Sequence, residues 1–406
     1  MKDRLKTLVL TANGYNWKMV LTDTALRGVL RVPECFTLPP GLQHIGVLDT
    51  LFGQRYARQG YIADWQEAIC ASPQLDVRTC NINNLVDYAA CMRQVDQYDL
   101  IIITHVAAGD SMAILLKTMG WFQRRQGKIA MFIGNEYDLM NEKIGFMRAV
   151  EVEYICSQLP IATARWLYAE CHRAQVLAMP HALNPQTYYS DPQVQRTVDI
   201  GFIGHLYERI IGDRERTDLI EYFQQKGADH GLHCDIRFSP LERTGWQRFL
   251  SSCKAIIGAE SGTYYLDRRG AMVAAAKAYV ATNPSASFFE VVSNCFHAQP
   301  NISISGKAIS SRHFEPIGTK TAQILIEGHY NGILHADEHY ISVKRDLSNI
   351  ADAINRFNDD AYRNAMVERT YEYVMDCHTY THRIATLVET ISGRDDQTKR
   401  WNNDDN

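Results

Sequence analysis

Short apolar runs alternate with helix-like stretches along most of this chain, and the alternation is interrupted once, at residues 180–192. The clearest runs are residues 99–104 (DLIIIT), 128–133 (KIAMFI), 199–203 (DIGFI) and 255–258 (AIIG). Continuous β-branched runs of this kind are typical of strands that are covered on both faces. The alternation therefore predicts an α/β protein with parallel, doubly wound sheets.

The interruption divides the chain into two such units. It reads P-H-A-L-N-P-Q-T-Y-Y-S-D-P, with three prolines and no periodicity, which predicts a linker. A length of 406 residues suits two domains of roughly 150–200 residues each. Because 46% of the residues are hydrophobic and only 22% are charged, each half can bury a core of its own.

Composition and charge exclude several classes of partner. The net charge is −4 and the basic residues are scattered, which argues against a nucleic-acid partner. Ten cysteines occur singly, without a CxxC pair or zinc spacing, and predict buried reduced thiols in place of a metal site or a disulfide framework. The amino terminus lacks the pattern of a signal peptide, and no apolar run approaches the ~18 residues that span a bilayer. We therefore expect a soluble cytoplasmic protein.

The block at residues 309–349 carries the most chemical information. It places Arg312, Glu315 and a Gly-Thr-Lys-Thr turn (residues 318–321) within ten positions, directly before the apolar run 322–326. A carboxylate accepts hydrogen bonds from ribose hydroxyls, backbone N–H groups at a helix start bind a diphosphate, and a cation neutralises it. This combination predicts a site for a sugar nucleotide.

The same block resembles the donor-binding region of bacterial glycosyltransferases of the GT-B fold, in the branch of spore-maturation-type and O-antigen or capsule sugar transferases. The resemblance rests on an Arg-x-Phe-Glu motif ending at Glu315, the small-residue turn, a later His-Tyr-Ile (residues 339–341) and an Asp-x-Ser-Asn (residues 346–349). A P-H-A-L-N-P linker and a His-x-Tyr-x-x-Arg segment ending at Arg383 also fit.

This resemblance implies two Rossmann-like domains and a last helix that crosses back to the first domain. The implied boundaries are an acceptor domain at 1–185, a linker at 186–197, a nucleotide-sugar domain at 198–370, a crossing helix at 371–392 and a polar tail at 393–406.

Glu315 is the strongest candidate site residue. The resemblance places it at the second glutamate of a Glu-x7-Glu motif, which holds the donor ribose; the alternative is a carboxylate that only complements a helix dipole. The first position of the motif is occupied by Lys307. The nearest substitute is Glu260, a candidate catalytic residue that could equally be a solvated loop carboxylate. Ser261 and Gly262 follow it and would contact the donor.

The donor diphosphate would meet the backbone of Gly318, Thr319, Lys320 and Thr321, with Lys320 or Arg312 as its counter-charge. Gly204 ends the first predicted strand of the second unit, where ligands approach open α/β sheets. The resemblance also places one basic residue after this loop at the phosphates. Arg209 is our choice, but Arg214 and Arg216 are equally possible from the sequence, and each could instead lie on a solvated helix face.

In the first unit, residues that follow predicted strands would line the acceptor side. His105 could contact the sugar or act as a base, or it could be a packed core histidine. Glu136 and Asp138 are the general-base candidates if the reaction inverts the anomeric configuration, and ordinary helix-capping carboxylates otherwise. Asn13 and Gly14 follow the first predicted strand in the same way.

We therefore predict a metal-independent, cofactor-free glycosyltransferase that moves a sugar from a nucleotide sugar to a glycan or lipid-linked acceptor, with peripheral membrane contact as an option. The alternatives are a sugar-nucleotide epimerase or hydrolase of the same shape and a catalytically silent partner subunit. A dinucleotide-dependent oxidoreductase is disfavoured, because no GxGxxG follows the first strand.

Overall fold

The computed structural model describes residues 4–12, 60–109, 111–297 and 304–393. Its first lobe contains a six-stranded sheet in which every pairing is parallel. The strands are β1 (Leu5–Thr11), β2 (Leu75–Asn81), β3 (Leu100–Ile103), β4 (Lys128–Phe132), β5 (Tyr154–Ser157) and β6 (Gln175–Ala178), in the order β2-β1-β3-β4-β5-β6. Residues 13 and 14 lie outside the described residues.

Helices cover both faces of this sheet. They are α1 (Gly60–Ala71), α2 (Leu85–Arg93), α3 (Ala113–Lys117), α4 (Met140–Ala149) and α5 (Ile161–Leu167). Helices α2 to α5 pack on one face through side chains such as Tyr88 and Phe146. Helix α1 packs on the other face through Trp65 and Ile69. Coverage of both faces explains why β3 is continuously apolar.

The second lobe repeats this architecture with a five-stranded parallel sheet of order β11-β10-β9-β7-β8. Its strands are β7 (Val198–Ile203), β8 (Cys234–Arg237), β9 (Cys253–Gly258), β10 (Ala322–Ile326) and β11 (Ile341–Val343). Its helices are α6 (Glu208–Ile211), α7 (Glu215–Lys226), α8 (Arg243–Ser252), α9 (Ala271–Thr282), α10 (Phe288–Cys295), α11 (Ser311–Gly318), α12 (Ile350–Asn358) and α13 (Asp360–Cys377). The predicted α/β class with two doubly wound sheets is confirmed.

The last helix, α14 (Tyr380–Ile391), returns to the first lobe. Its Leu387 and Ile384 pack with Trp65 of α1 in one core. At the lobe boundary Leu183 donates its N–H to the carbonyl of His378 (2.9 Å) and accepts from the N–H of Tyr380 (3.0 Å). The two segments that connect the lobes are thus hydrogen-bonded to each other, and they form a common hinge.

An insertion leaves the second lobe between β9 and α11. Its two ends pair through reciprocal N–H to carbonyl bonds between Ser261 and Ala308, both 2.9 Å long. Helices α9 and α10 lie within it and reach the first lobe, where Lys277 Nζ contacts Asp138 Oδ2 at 2.5 Å. Arg269 binds Glu170 in the same way at 2.8 Å. The insertion therefore connects the two lobes away from the hinge.

Cysteine chemistry differs from the prediction at Cys70, and a possible metal-ligand cluster leaves the predicted absence of a metal site untested. Eight of the described cysteines are free thiols, as expected, but Cys70 is disulfide-bonded. The ligand atoms of Cys80, Asp87 and Cys91 lie within 4.8 Å of one another in the first lobe, close enough for a metal ion, although Asp87 already pairs with Arg78. Sequence spacing does not reveal such pairs, because the fold brings them together. No helix in the described part of the chain is long and apolar enough to cross a membrane.

Candidate functional site

Glu315 lies at the boundary between the lobes. Its helix α11 begins after Ser310, whose side chain forms a capping box with His313. The carboxylate is buried, accepts a 2.7 Å hydrogen bond from Trp246 Nε1, and lies 3.7 Å from the position a Cβ would take at Gly60, the first residue of α1. Glu315 is the fifth residue of α11, beyond the first turn where a helix dipole acts, so a simple complement to that dipole does not describe it.

Asp64 of α1 faces this carboxylate from the first lobe. It accepts a 2.8 Å hydrogen bond from Asn184 Nδ2 and pairs with Arg243 of α8, which also binds Glu67. Burial raises the pKa of Asp64 to about 7; the charge of Glu315 adds to the increase, and Arg243 opposes it. Asp64 therefore exchanges its proton near neutral pH, at the point where the two lobes meet.

Several buried polar atoms around this boundary have no hydrogen-bond partner among the described residues: Asp64 Oδ2, Tyr188 Oη and His105 Nε2. Buried polar groups are normally paired, so these atoms have capacity for a polar ligand. His105 stacks on His181 and lies 5.4 Å from the ring of Trp65, centroid to centroid. Burial, reinforced by His181, lowers the pKa of His105 well below its usual value and keeps the imidazole neutral.

Two arginines lie at the carboxyl edge of the second sheet. Arg312, at the start of α11, stacks over the ring of Trp246 at 4.1 Å. Arg216, at the start of α7, stacks over Tyr207 at 4.9 Å and donates to the carbonyl of His205 (2.9 Å). Burial lowers the pKa of Arg216, and the charge of Arg312 contributes to the decrease. Because two mutually repelling cations converge beside a helix start, the site favours an anion such as a diphosphate.

The neighbouring arginines serve the fold. Arg209, which we predicted at the donor phosphates, donates to the carbonyls of Pro284 (2.8 Å) and Ala286 (3.1 Å) in the insertion. Arg214 pairs with Asp218 and Glu221 on its own helix. The contacts therefore favour Arg216 over Arg209. Gly204 follows β7 as predicted, and a Cβ there would stand 3.2 Å from the ring of Phe202.

The Gly-Thr-Lys-Thr turn is the end of a helix, and its prediction as a helix start was wrong. Gly318 is the last residue of α11, and residues 319–321 precede the amino end of β10, on the opposite edge of the sheet from the ligand-binding edge. The N–H groups of Lys320 and Thr321 donate to the carbonyls of Ile317 and Pro316. The Lys320 side chain pairs with Glu368.

Arg196 also fixes this turn, by donating to the carbonyl of Thr319 (2.6 Å) and to Thr321 Oγ1 (2.9 Å). The true helix start is at Ser310, which caps α11 together with His313, the second residue of the Arg-x-Phe-Glu motif.

Glu260 is buried, and its carboxylate is bound by backbone N–H groups of the protein. Its carboxylate accepts from the N–H groups of Tyr330 (2.7 Å) and His329 (3.2 Å), and so holds the loop after β10. Lys307, at the first motif position, is buried and binds Asp213 and Glu215. These contacts give Glu260 and Lys307 structural roles.

Ser261 and Gly262 form the stem of the insertion. Gly262 has φ +92°, and a Cβ there would lie 2.0 Å from the carbonyl oxygen of Gly306. Only glycine fits this turn. The backbone N–H and carbonyl of Ser261 both form hydrogen bonds with the backbone of Ala308.

The two carboxylates predicted as general bases, Glu136 and Asp138, also bind other groups of the protein. Glu136 accepts from Ser157 Oγ (2.6 Å), Gln158 N (2.8 Å) and Tyr168 Oη (2.6 Å), which ties two strand ends together. Asp138 pairs with Lys277 of the insertion. These contacts hold both carboxylates away from proton transfer, and neither carboxylate caps α4, the helix that follows them.

Sequence reasoning missed Asp64, Arg243, Trp246 and Tyr188 as site residues. Asp64 lies on α1, Arg243 and Trp246 lie on α8, and Tyr188 lies in the segment between the lobes. Only the meeting of the two lobes brings them around Glu315.

The comparisons with known proteins concern the second part of the chain and the fold. Residues 243–389 match the family model described as glycosyl transferase-like. An alpha-glucosyltransferase solved with UDP and a 13-mer DNA containing an HMU base superposes with a TM-score of 0.51, at 9% identity, over 96% of this chain and 100% of that one. The chain has the GT-B fold.

Two further structures are similar at lower scores. The Anabaena protein HepE in complex with UDP-glucose has a TM-score of 0.47, at 9% identity, over 96% of this chain and 100% of its own. A DNA-modifying beta-glucosyltransferase has a TM-score of 0.48, at 11% identity, over 95% and 99% of the two chains. No curated protein sequence matches significantly.

Proposed function

We propose that this protein is a glycosyltransferase that takes its sugar from a nucleotide diphosphate sugar. The observation that carries the proposal is the position of the Arg-x-Phe-Glu helix. It begins at the ligand-binding edge of the second sheet and turns Glu315 toward the first lobe, within a region that matches a glycosyl transferase-like family model.

In this proposal Glu315 accepts hydrogen bonds from the donor ribose, and Arg312 and Arg216 bind the diphosphate. When the acceptor oxygen bonds to the anomeric carbon, the bond from that carbon to the diphosphate breaks, and negative charge accumulates on the leaving group. Preorganised cations that stabilise such charge often supply the largest catalytic contribution. His105, a neutral imidazole on the first lobe, would bind a sugar or acceptor hydroxyl.

Asp64 and Arg243 are positioning residues in this account. Their ion pair joins α1 of the first lobe to α8 of the second, directly beside Glu315. A change in the lobe angle would change this contact, so the pair couples closure of the lobes to the donor site.

The acceptor we propose is a glycan or lipid-linked saccharide, as in bacterial surface polysaccharide synthesis. UDP sugars are the first donors to test, because two of the similar structures contain UDP or UDP-glucose. A DNA acceptor has less support, since the net charge of −4 with scattered basic residues provides no electrostatic surface for nucleic acid. That the reaction needs no metal or cofactor remains a prediction.

The test is transfer of labelled sugar from a panel of UDP, GDP and dTDP sugars to a panel of saccharide acceptors. We expect acceptor-dependent product with the wild type, a loss of most product in Glu315→Gln, and no change in the control Glu368→Gln, an exposed carboxylate on α13. Interconversion or hydrolysis without an acceptor would instead favour the epimerase or hydrolase. Absence of any nucleotide binding would favour the silent subunit.

A further inference from the structure

A cavity of about 800 Å³ lies between the lobes, on the side of β6 that carries no neighbouring strand. Its walls are α5 and β6 of the first lobe, the loop at residues 328–336 after β10, and the helices α13 and α14. This volume is typical of small-molecule sites. Glu315, Arg312 and Arg216 do not line it, so it is separate from the proposed donor site.

The lining is basic. The described residues that line the cavity include no aspartate or glutamate, although the whole chain has 46 acidic and 42 basic residues. The cavity is lined by the arginines Arg165 and Arg383 and by the histidines His172, His329, His335 and His378. His378 is neutral, because burial and the charge of Arg383 lower its pKa to about 2. A cavity lined by arginines and by no carboxylate has a positive electrostatic potential, which favours binding of an anion.

Arg383 is buried in this wall. Its Nε donates to the carbonyl of Pro180 (3.1 Å), and its Nη2 donates to His378 Nδ1 (3.1 Å). Because the guanidinium can only donate, Nδ1 must be the unprotonated nitrogen of His378. The proton then resides on His378 Nε2, which donates to Tyr373 Oη at 2.9 Å. Arg383 thus orients a chain of donors toward Tyr373, which also lines the cavity.

The edge of β6 adds backbone groups. Gln175 and Met179 direct their N–H groups to β5, where they bind the carbonyls of Glu153 and Ser157. Alternate residues of a strand direct their backbone groups to opposite sides, so the N–H groups of Val176 and Ala178 point away from β5, toward the cavity. Both residues line it.

The loop on the opposite wall is held in an unusual conformation. Tyr330 and Asn331 have φ values of +44° and +56°, a region that non-glycine residues rarely adopt. Glu260 binds the N–H of Tyr330, and Asn331 Nδ2 donates to the carbonyl of Gln158 in the first lobe (2.8 Å). Strained backbone that is fixed in this way is common where a loop presents groups to a ligand, and this loop presents His329 and His335.

We propose that this cavity binds a small saccharide bearing an oxyanion, a phosphorylated or carboxylated sugar. Arg165 and the basic wall would attract the anionic group, and the edge amides and Tyr373 would bind hydroxyls. Such a ligand has two possible sources, the acceptor of the proposed transfer reaction or a metabolite that regulates it. Only this choice of source rests on the proposed function.

The test is calorimetric titration of the full chain with glucose 6-phosphate, glucuronate and glucose at low salt. We expect the two anionic sugars to bind and glucose to bind at least tenfold more weakly. Arg165→Glu should weaken binding of the anionic sugars at least tenfold. The matched control is Arg173→Glu, an exposed arginine of the same lobe that does not line the cavity, and it should change the affinity less than twofold.

Glu315→Gln separates this proposal from the proposed function. Unchanged binding of the anionic sugars in that variant, with loss of binding in Arg165→Glu, supports a second site even if no transfer is detected. Three results would overturn the proposal: binding of neither anionic sugar, equal losses in the two arginine variants, or loss in Glu315→Gln without loss in Arg165→Glu.

The source of the ligand follows from a transfer assay that contains the bound sugar. Appearance of the transferred sugar on it identifies an acceptor. A changed rate toward another acceptor, with the sugar recovered unmodified and the change abolished by Arg165→Glu, identifies a regulator. If neither effect is seen, and the Arg165→Glu variant transfers sugar at the rate of the wild type, a functional role for the cavity is contradicted.

Discussion

Asp64 in the first lobe and Glu315 in the second interact across the lobe boundary: burial, reinforced by the charge of Glu315, raises the pKa of Asp64 to about 7. The carboxyl groups belong to helices that are 240 or more residues apart in the sequence. The positive charge of Arg243 offsets only part of the negative charge of Asp64 and Glu315, because Arg243 also pairs with Glu67. The lobe boundary is therefore sensitive to pH.

This relationship predicts that Asp64→Asn changes how stability depends on pH. Asp64 titrates near 3.8 when unfolded and near 7 when folded, so the native state keeps a proton that the unfolded chain has already lost. The stabilising contribution is complete below pH 4 and is lost as pH rises to about 7. Over that window the loss amounts to about 4 kcal/mol, at 1.36 kcal/mol per pKa unit.

We therefore expect the wild type to lose stability between pH 4 and pH 8 and Asp64→Asn not to share that loss, so the free energy of unfolding of the variant rises relative to that of the wild type. Urea unfolding at several pH values measures it. Parallel pH profiles for the two proteins would show that Asp64 is not titrating in this window.

Arg216 and Arg214 provide a matched pair of substitutions, because both lie at the start of α7 but contact different groups. Arg216→Gln removes a cation from the proposed diphosphate site and should weaken binding of a nucleotide diphosphate by about ten- to a hundredfold, as expected for a charge-assisted contact. Arg214→Gln removes contacts to Asp218, Glu221 and the ring of Phe288, none of which belongs to the proposed site, and should have little effect.

Titration with UDP and with uridine checks this prediction. The affinity for uridine should be similar in both variants, because uridine has no phosphate. Equal losses of UDP affinity in Arg214→Gln and Arg216→Gln would show that neither arginine is specific to the site.

Lys307→Glu restores the first glutamate of the motif but should not produce a more active protein. Lys307 is buried with Asp213 and Glu215, so the substitution places three carboxylates together. Breaking a buried ion pair costs about 3–5 kcal/mol, and we expect at least this loss in the free energy of unfolding. Lys254→Met, which removes a partly exposed pair with Asp199, should cost less than about 1 kcal/mol. Similar urea midpoints for the two variants would contradict this ranking.

Lys320→Met tests the corrected position of the Gly-Thr-Lys-Thr turn. Because Lys320 pairs with Glu368 at the edge opposite the site, the variant should bind UDP within about twofold of the wild type, and removal of a surface pair should cost less than about 1 kcal/mol. A large loss of UDP affinity with unchanged stability would instead support the original prediction for this turn.

The sequence was sufficient for the architecture because each strand is a short apolar run and each lobe repeats the same alternation. Strands β3 and β10 were readable in this way from the apolar runs at 99–104 and 322–326. The crossing helix predicted at 371–392 is divided between the end of α13 and α14, because a break at residues 378–379 redirects the chain into the hinge.

The site was harder to predict, because its residues meet only through the arrangement of the two lobes. Arg312 and Glu315 share one helix and could be recognised together. The carboxylates Glu136 and Glu260 follow strands, as catalytic residues often do, yet both bind neighbouring backbone. No sequence pattern distinguishes a strand-end carboxylate that ties two loops together from one that meets a substrate. Asp64 belongs to no motif in the sequence that would mark it as a site residue.

The most direct test of the central claim is titration of UDP into the wild type, Glu315→Gln and Glu368→Gln, with thermal unfolding of each variant to confirm an intact fold. We expect the wild type and Glu368→Gln to bind with similar affinity and Glu315→Gln to bind about ten- to a hundredfold more weakly, because a hydrogen bond to a charged group is lost. Equal affinities in all three proteins would contradict the claim that Glu315 holds the ribose of a nucleotide-sugar donor.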